Sequence, residues 1–137
     1  VSHGASQQQV VRAMREAEAH DGPSIVIAYS PCIAHKIKGG LTHSADQAKL
    51  AVESGYWPIF RYNPANLESG KNPFKLDSKE PNWDKYKEFL LNEQRYSQLL
   101  DINPEKAEGL YDANLSDAKR RYRMYKRYEA MDYSDEM

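Results

Sequence analysis

IVIAYSPCIAHKIKGG, residues 25–40, joins an apolar run to a polar loop that holds the chain's single cysteine. The four apolar residues 25–28, bounded by Gly22-Pro23 on one side and Pro31 on the other, predict a short strand buried on both faces, as in parallel sheets. Strands of that kind carry chemistry at their carboxyl ends. Here that end is Tyr29-Ser30-Pro31-Cys32-Ile33-Ala34-His35, with a thiol and an imidazole three residues apart, closed by Gly39-Gly40. Spacing alone leaves three readings of Cys32 open. A lone cysteine after a strand is ordinarily a small buried hydrophobe. As a nucleophile activated by His35 it would need a thiolate stabilised by a cation or a helix N-terminus. As a ligand of a metal or iron-sulfur centre it would need partners from elsewhere, because such clusters normally take four thiolates and this sequence holds one.

Composition narrows the setting. At 137 residues the chain suits one modest domain rather than two with separate cores. Hydrophobic residues make up 40% and charged ones 28%, and ten Tyr stand against three Phe, so much of the aromatic surface carries a hydroxyl that wants a partner. That favours extended interfaces over a deep autonomous core. A net charge of −1 argues for neither nucleic acid nor an anionic membrane as partner. No apolar run approaches a membrane span or a signal-peptide core. One cysteine excludes an internal disulfide framework, so a reducing cytoplasm is expected. The start at Val1, already close to a helix, leads us to expect a processed chain or a piece of a larger one.

Ser6 is the expected N-cap of a helix running to about His20, with Val10, Val11, Met14, Ala17 and also Ala13 on its inner stripe. Asp21-Gly22-Pro23 ends it. After the cysteine loop, Ser44-Ala45-Asp46-Gln47 has the pattern of a capping box, opening a helix with Ala48, Leu50, Ala51 and Val52 inward and Gly55 at its end. Residues 57–64, bracketed by Pro58 and Pro64, predict a second short strand near a sheet edge. Two strands with helices between them do not make a stable sheet, so the missing neighbours predict a chain that completes a larger one. Residues 63–82 predict a long surface arm pinned by Phe74, Leu76 and Trp83, the charged Leu76-Asp77-Ser78-Lys79-Glu80-Pro81 included. Trp83, Tyr86, Phe89 and Leu90 then share one helical stripe, continued by Tyr96, Leu99 and Leu100 after a break near Glu93. Asn103-Pro104 starts a last helix reaching about Met131, with an acidic end, residues 132–137, that is expected to fray. Within that helix Lys119, Arg120, Arg121, Arg123, Lys126 and Arg127 interleave with Tyr122, Tyr125 and Tyr128. This is either a packed aromatic stripe with a solvated basic side or the binding face of a free-standing module for RNA or a protein partner. No repeat, Gly-rich phosphate loop or metal-spaced histidine set occurs, and His3, His20 and His43 are surface or cap residues.

Six segments, in order, carry a resemblance: DGPSIVIAYSPCI (21–33), KGG (38–40), LAVESGYWP (50–58), RYNP (61–64), GKNPF (70–74) and LDSKEP (76–81). Together they resemble the carboxyl-terminal part of the pyruvate:ferredoxin (flavodoxin) oxidoreductases. The resemblance implies a large, cytoplasmic, oxygen-sensitive enzyme, usually a homodimer. It oxidatively decarboxylates pyruvate with coenzyme A to acetyl-CoA and passes electrons through iron-sulfur clusters to ferredoxin or flavodoxin, with thiamine diphosphate and Mg for the carbanion chemistry. It also implies that Cys32 is the distant fourth ligand of the 4Fe-4S cluster nearest the thiamine.

The fold class expected on this basis is α/β. Residues 1–63 would be an incomplete piece of a thiamine-diphosphate-binding-type parallel-sheet domain, two strands with flanking helices. Residues 64–137 would be a wrapping arm and helical tail against the remaining domains. The Gly-Asp-Gly and Asn elements that hold diphosphate and magnesium in the family are absent from this sequence, as are its paired cysteine clusters. The chain alone is therefore expected to be inactive, to have no catalytic residue, and to bind neither thiamine diphosphate, a membrane nor nucleic acid. One departure stands out at Lys36, where the family pattern expects glycine after His35. His35 either tunes the cluster by a hydrogen bond or simply caps the loop.

Overall fold

The computed structural model describes residues 1–133. In chain order the elements are α1 (Gln7–Ala19), α2 (Ser44–Glu53), β1 (Phe60–Tyr62), β2 (Phe74–Leu76), α3 (Tyr86–Asn92), α4 (Gln94–Ser97), α5 (Leu99–Ile102) and α6 (Pro104–Ala130). Helix α1 begins as the Ser6 cap requires, the hydroxyl accepting from the Gln9 N–H at 3.2 Å. Its inner stripe is narrower than expected. Ala13 is buried and Val10 and Ala17 are half-buried, but Val11 and Met14 face solvent.

Helix α2 buries Ala48 and Ala51, with Leu50 and Val52 half-buried. The expected capping box does not form: Gln47 is buried, donates to the Phe89 carbonyl at 3.2 Å, and accepts from Asn92. A partner across the core competes better for an amide than the helix's own first turn does. Gly55 ends the helix at φ 82°, where a Cβ would also lie 2.5 Å from the Trp83 ring. Both the backbone angle and the close packing demand glycine there.

The two predicted strands fare differently. Residues 57–64 do contain β1, but its partner is β2, inside the segment expected to be an irregular arm. The pairing is antiparallel with Arg61 opposite Lys75, so the parallel sheet expected of this chain is not what its described residues form. A two-stranded ribbon is marginal alone. Here Phe60, Phe74 and Tyr125 cover it, with Phe60 5.1 Å from each of the other two rings. Residues 25–28 are extended yet belong to no ladder. Their links are to Val1, whose carbonyl accepts from Tyr29 N at 3.1 Å and whose nitrogen donates to Ile27 O at 2.8 Å. Ile25 is 86% and Ile27 65% exposed, the reverse of the burial predicted. One residue alongside cannot satisfy or cover a strand made to be flanked on both sides.

The core gathers around α3. Tyr86, Phe89 and Leu90 meet Tyr29, Ala48 and Ala51 on one side and Ala107, Tyr111 and Ala118 of α6 on the other. Small residues at 107 and 118 let α6 lie close, and the buried positions 107, 111, 118 and 122 repeat at helical spacing. Asn103-Pro104 opens α6 as expected, with the Asn103 carbonyl accepting from Ala107 N at 3.0 Å. Phe74 and Leu76 are buried against Tyr122 and Trp83, so the arm is pinned by the residues predicted to pin it. Glu93, extended between α3 and α4, makes the break expected there. Of the acidic end, residues 134–137 lie outside the described residues.

Candidate functional site

The cysteine loop is a single turn carried between two fixed points. Lys36 N donates to Cys32 O at 3.0 Å, closing the turn, and Lys36 itself sits at φ 59°. It is the one non-glycine with positive φ among the described residues, at the position where the family pattern expects glycine. Inside the turn the Cys32 sulfur, partly exposed, lies 3.2 Å from His35 Nδ1. That hydrogen bond first, then the backbone N–H groups of His35 and Ala34, draw the thiol down to about 7. A thiolate is thus available at neutral pH, set among donors that stabilise charge on sulfur. Such a sulfur can bind a soft metal or attack an electrophile. As a metal site it is incomplete: the His35 imidazole lies beside the sulfur, but among the described residues no group of three His, Cys, Asp or Glu side chains could hold a metal ion.

Both fixed points converge on Glu93. Before the loop, the Tyr29 hydroxyl donates to Glu93 Oε1. After it, Ile37 forms an isolated antiparallel bridge with Glu93, flanked by Lys38 N donating to Asn92 O at 2.8 Å and Gln94 N to Lys36 O at 3.3 Å. The Glu93 side chain is fully buried. Gln47 Nε2 reaches Oε1 at 3.3 Å, and Arg95 Nε stands 3.1 Å from Oε2. Burying a lone carboxylate costs several kcal/mol unless donors and an opposite charge replace the lost water; Tyr29 and Gln47 do so at Oε1, while Oε2 has the Arg95 charge beside it and no hydrogen bond. Burial first and this hydrogen bond second push the Tyr29 hydroxyl far up, so it stays a donor. A half-buried hydroxyl pair, Tyr56 with Tyr96, borders the network, and Tyr29 packs edge-on to Tyr56 at 6.2 Å. Sequence reasoning took Glu93 only as a helix break. Its one signal was the abundance of Tyr, whose hydroxyls had to find acceptors.

The other candidates sort plainly. His3, His20 and His43 are exposed. Asp77 of the arm forms an ion pair with Arg61, which also binds Glu16, so the charged arm segment ties β1 to α1. On α6, Tyr122 is buried and Tyr125 packs on the ribbon, while Arg121 donates to the Tyr56 carbonyl at 2.9 Å and Lys119 lies over the Trp83 ring. Tyr122 and Lys119 thus face the protein, whereas Tyr125 and Arg121, with Trp57 and Phe60, also line a groove of about 760 Å³ beside residues 25–27. No helix among the described residues is long and apolar enough to cross a membrane.

No family model matches the chain. Curated proteins do. It is 50% identical over 127 residues to pyruvate:ferredoxin oxidoreductase of Moorella thermoacetica, covering 93% of this chain and 11% of that protein. Against pyruvate-flavodoxin oxidoreductase of Klebsiella pneumoniae the identity is 46% with the same coverage. Against mitochondrial pyruvate dehydrogenase (NADP(+)) of Euglena gracilis it is 38%, covering 93% of this chain and 7% of that protein. The chain spans about a tenth of the length of these relatives.

Proposed function

Because the chain is homologous along 93% of its length to one segment of the pyruvate:ferredoxin and pyruvate-flavodoxin oxidoreductases, we propose that it works as part of such an enzyme and contributes Cys32 as one ligand of a 4Fe-4S cluster. The observation that carries this reading is a single cysteine whose thiol is drawn down to about 7, with no group of three potential ligands among the described residues to complete a site around it. A sulfur presented this way suits a cluster whose other thiolates come from elsewhere in the enzyme.

The substrates are then pyruvate and coenzyme A, and the acceptor is ferredoxin or flavodoxin. The remaining domains of a cytoplasmic, homodimeric enzyme are the partners, and thiamine diphosphate with Mg, bound by those domains, supplies the decarboxylation chemistry. Residues 25–28 act as a strand of a parallel sheet of the thiamine-binding domain. Their exposed apolar side chains and free backbone groups support this, since such a strand wants neighbours on both sides. Residues 64–137 serve as arm and tail against those domains. Within the loop the Ala34 and His35 N–H groups bond the sulfur, which favours added negative charge there and tunes the potential of whatever it ligates. His35 caps the loop.

The test is Cys32→Ala in the full-length oxidoreductase. It is expected to fold and to reduce ferredoxin at least about tenfold more slowly, with an altered cluster spectrum. Normal cluster signals with normal ferredoxin reduction would defeat the reading.

A further inference from the structure

A turn that presents a ligand is only as well placed as its two ends. Between Pro31 and Lys36 the loop has one internal backbone bond, Lys36 N to Cys32 O. Its place relative to the core is therefore set by Tyr29 on one side and by residues 36–38 on the other. Both ends lead to the same turn of chain, through the Tyr29 hydroxyl to the Glu93 carboxylate and, where Ile37 faces Glu93, through Lys36 and Lys38 to the backbones of Gln94 and Asn92. The choice of a charged group there is informative. An apolar side chain of like size would fill this space with no desolvation cost, and buried ion pairs are often replaceable by apolar residues without loss of stability. What apolar packing does not supply is direction, whereas hydrogen bonds from Tyr29 and Gln47 hold Oε1 and the Arg95 charge stands beside Oε2.

We propose that Glu93 is the positioning residue for Cys32, its buried carboxylate holding the loop's entry through Tyr29 beside the Asn92 and Gln94 backbone groups that hold its exit, so that the sulfur meets its cluster in one place. This rests on the reading of Cys32 as a cluster ligand. Glu93 acts through Tyr29 and need not touch the cluster.

The experiment uses the full-length oxidoreductase and three variants, Cys32→Ser, Glu93→Gln and Tyr29→Phe. Each is followed by the electron paramagnetic resonance of the reduced protein and by the rate at which an iron chelator strips its clusters. The Cys32→Ser difference assigns the signal and the fraction of iron that depend on Cys32. Glu93→Gln keeps the volume but turns an amide toward Arg95, and it is expected to strip that fraction about tenfold faster or more, with a shifted resonance. Tyr29→Phe, which removes one donor to the carboxylate and leaves Gln47 and Arg95 in place, is expected to move both readouts the same way by a smaller factor. A lower unfolding temperature in Glu93→Gln with unchanged resonance and stripping rate would mean a merely structural residue and overturn the inference. If Glu93→Gln fails to fold, Tyr29→Phe decides, and wild-type values there overturn it equally. A Cys32→Ser protein with unaltered signals would sink the underlying ligand reading instead.

Discussion

At Lys36 the side chain is at odds with its backbone. A left-handed conformation costs a non-glycine residue about 1–2 kcal/mol, partly offset by the roughly 0.5–1 kcal/mol that glycine loses through its freer unfolded chain. Lys36→Gly is therefore expected to be neutral or to stabilise by up to about 1 kcal/mol in urea unfolding. Lys36→Ile, β-branched at φ 59°, should destabilise by about 1 kcal/mol or more. Equal midpoints for the two variants would contradict the strain. The neighbouring thiol yields a pH prediction. In protein freed of metal, Cys32 alkylation should reach half its maximal rate near pH 7, because the thiolate forms at about 7. Removing the hydrogen bond with His35→Ala should move that midpoint up toward an ordinary thiol's value of about 8.5. An unmoved profile would mean the imidazole does not hold the sulfur. The spacing of Cys32 and His35 was readable from sequence because both lie in one turn. The carboxylate that anchors the turn was not, since nothing local to Glu93 says that a tyrosine 64 residues away will donate to it.

Among the elements, helices were the legible part. Residues three and four apart report on one face whatever the rest of the chain does, so α1 and α6 start after their Ser6 and Asn103 signals and α3 stops at the break near Glu93. Strands are defined by what lies beside them. β2 was missed because its Phe-Lys-Leu reads as part of an arm until Phe60 and Tyr125 cover it, and residues 25–28 were taken as a buried strand from their own apolarity alone. The ribbon's tie to α1 gives a second pH prediction. Burial alone would raise the Asp77 carboxyl, but hydrogen bonds from Arg61 and Gln9 outweigh it and leave it below its ordinary 3.8. A depressed carboxyl stabilises fully above the unfolded value, and its contribution is lost as pH falls through the folded one. Asp77→Asn should thus cost about 1.5–3 kcal/mol at pH 7 by urea titration, and the gap from wild type should close progressively below about pH 4. A gap of constant size down to pH 2 would show that the charge is not its source.

For the whole molecule, the apolar edge at residues 25–27 governs behaviour in isolation. Apart from the Ile27 carbonyl, which accepts from Val1, this exposed apolar stretch leaves its backbone open, and such a stretch is a template for association. Produced alone, the chain is expected to sediment as oligomers, and Ile25→Lys with Ile27→Lys should return it to monomer. The same pair placed in the full-length enzyme should block its assembly. A monomeric wild-type chain would speak against a strand awaiting neighbours. The Tyr29–Glu93 contact also has a bearing on how the protein is made. The two residues are separated by 64 positions, so at about 5–20 residues per second a ribosome delivers the second roughly 3–13 s after the first. Through that interval Cys32 is already outside or in the exit tunnel with its loop unfastened.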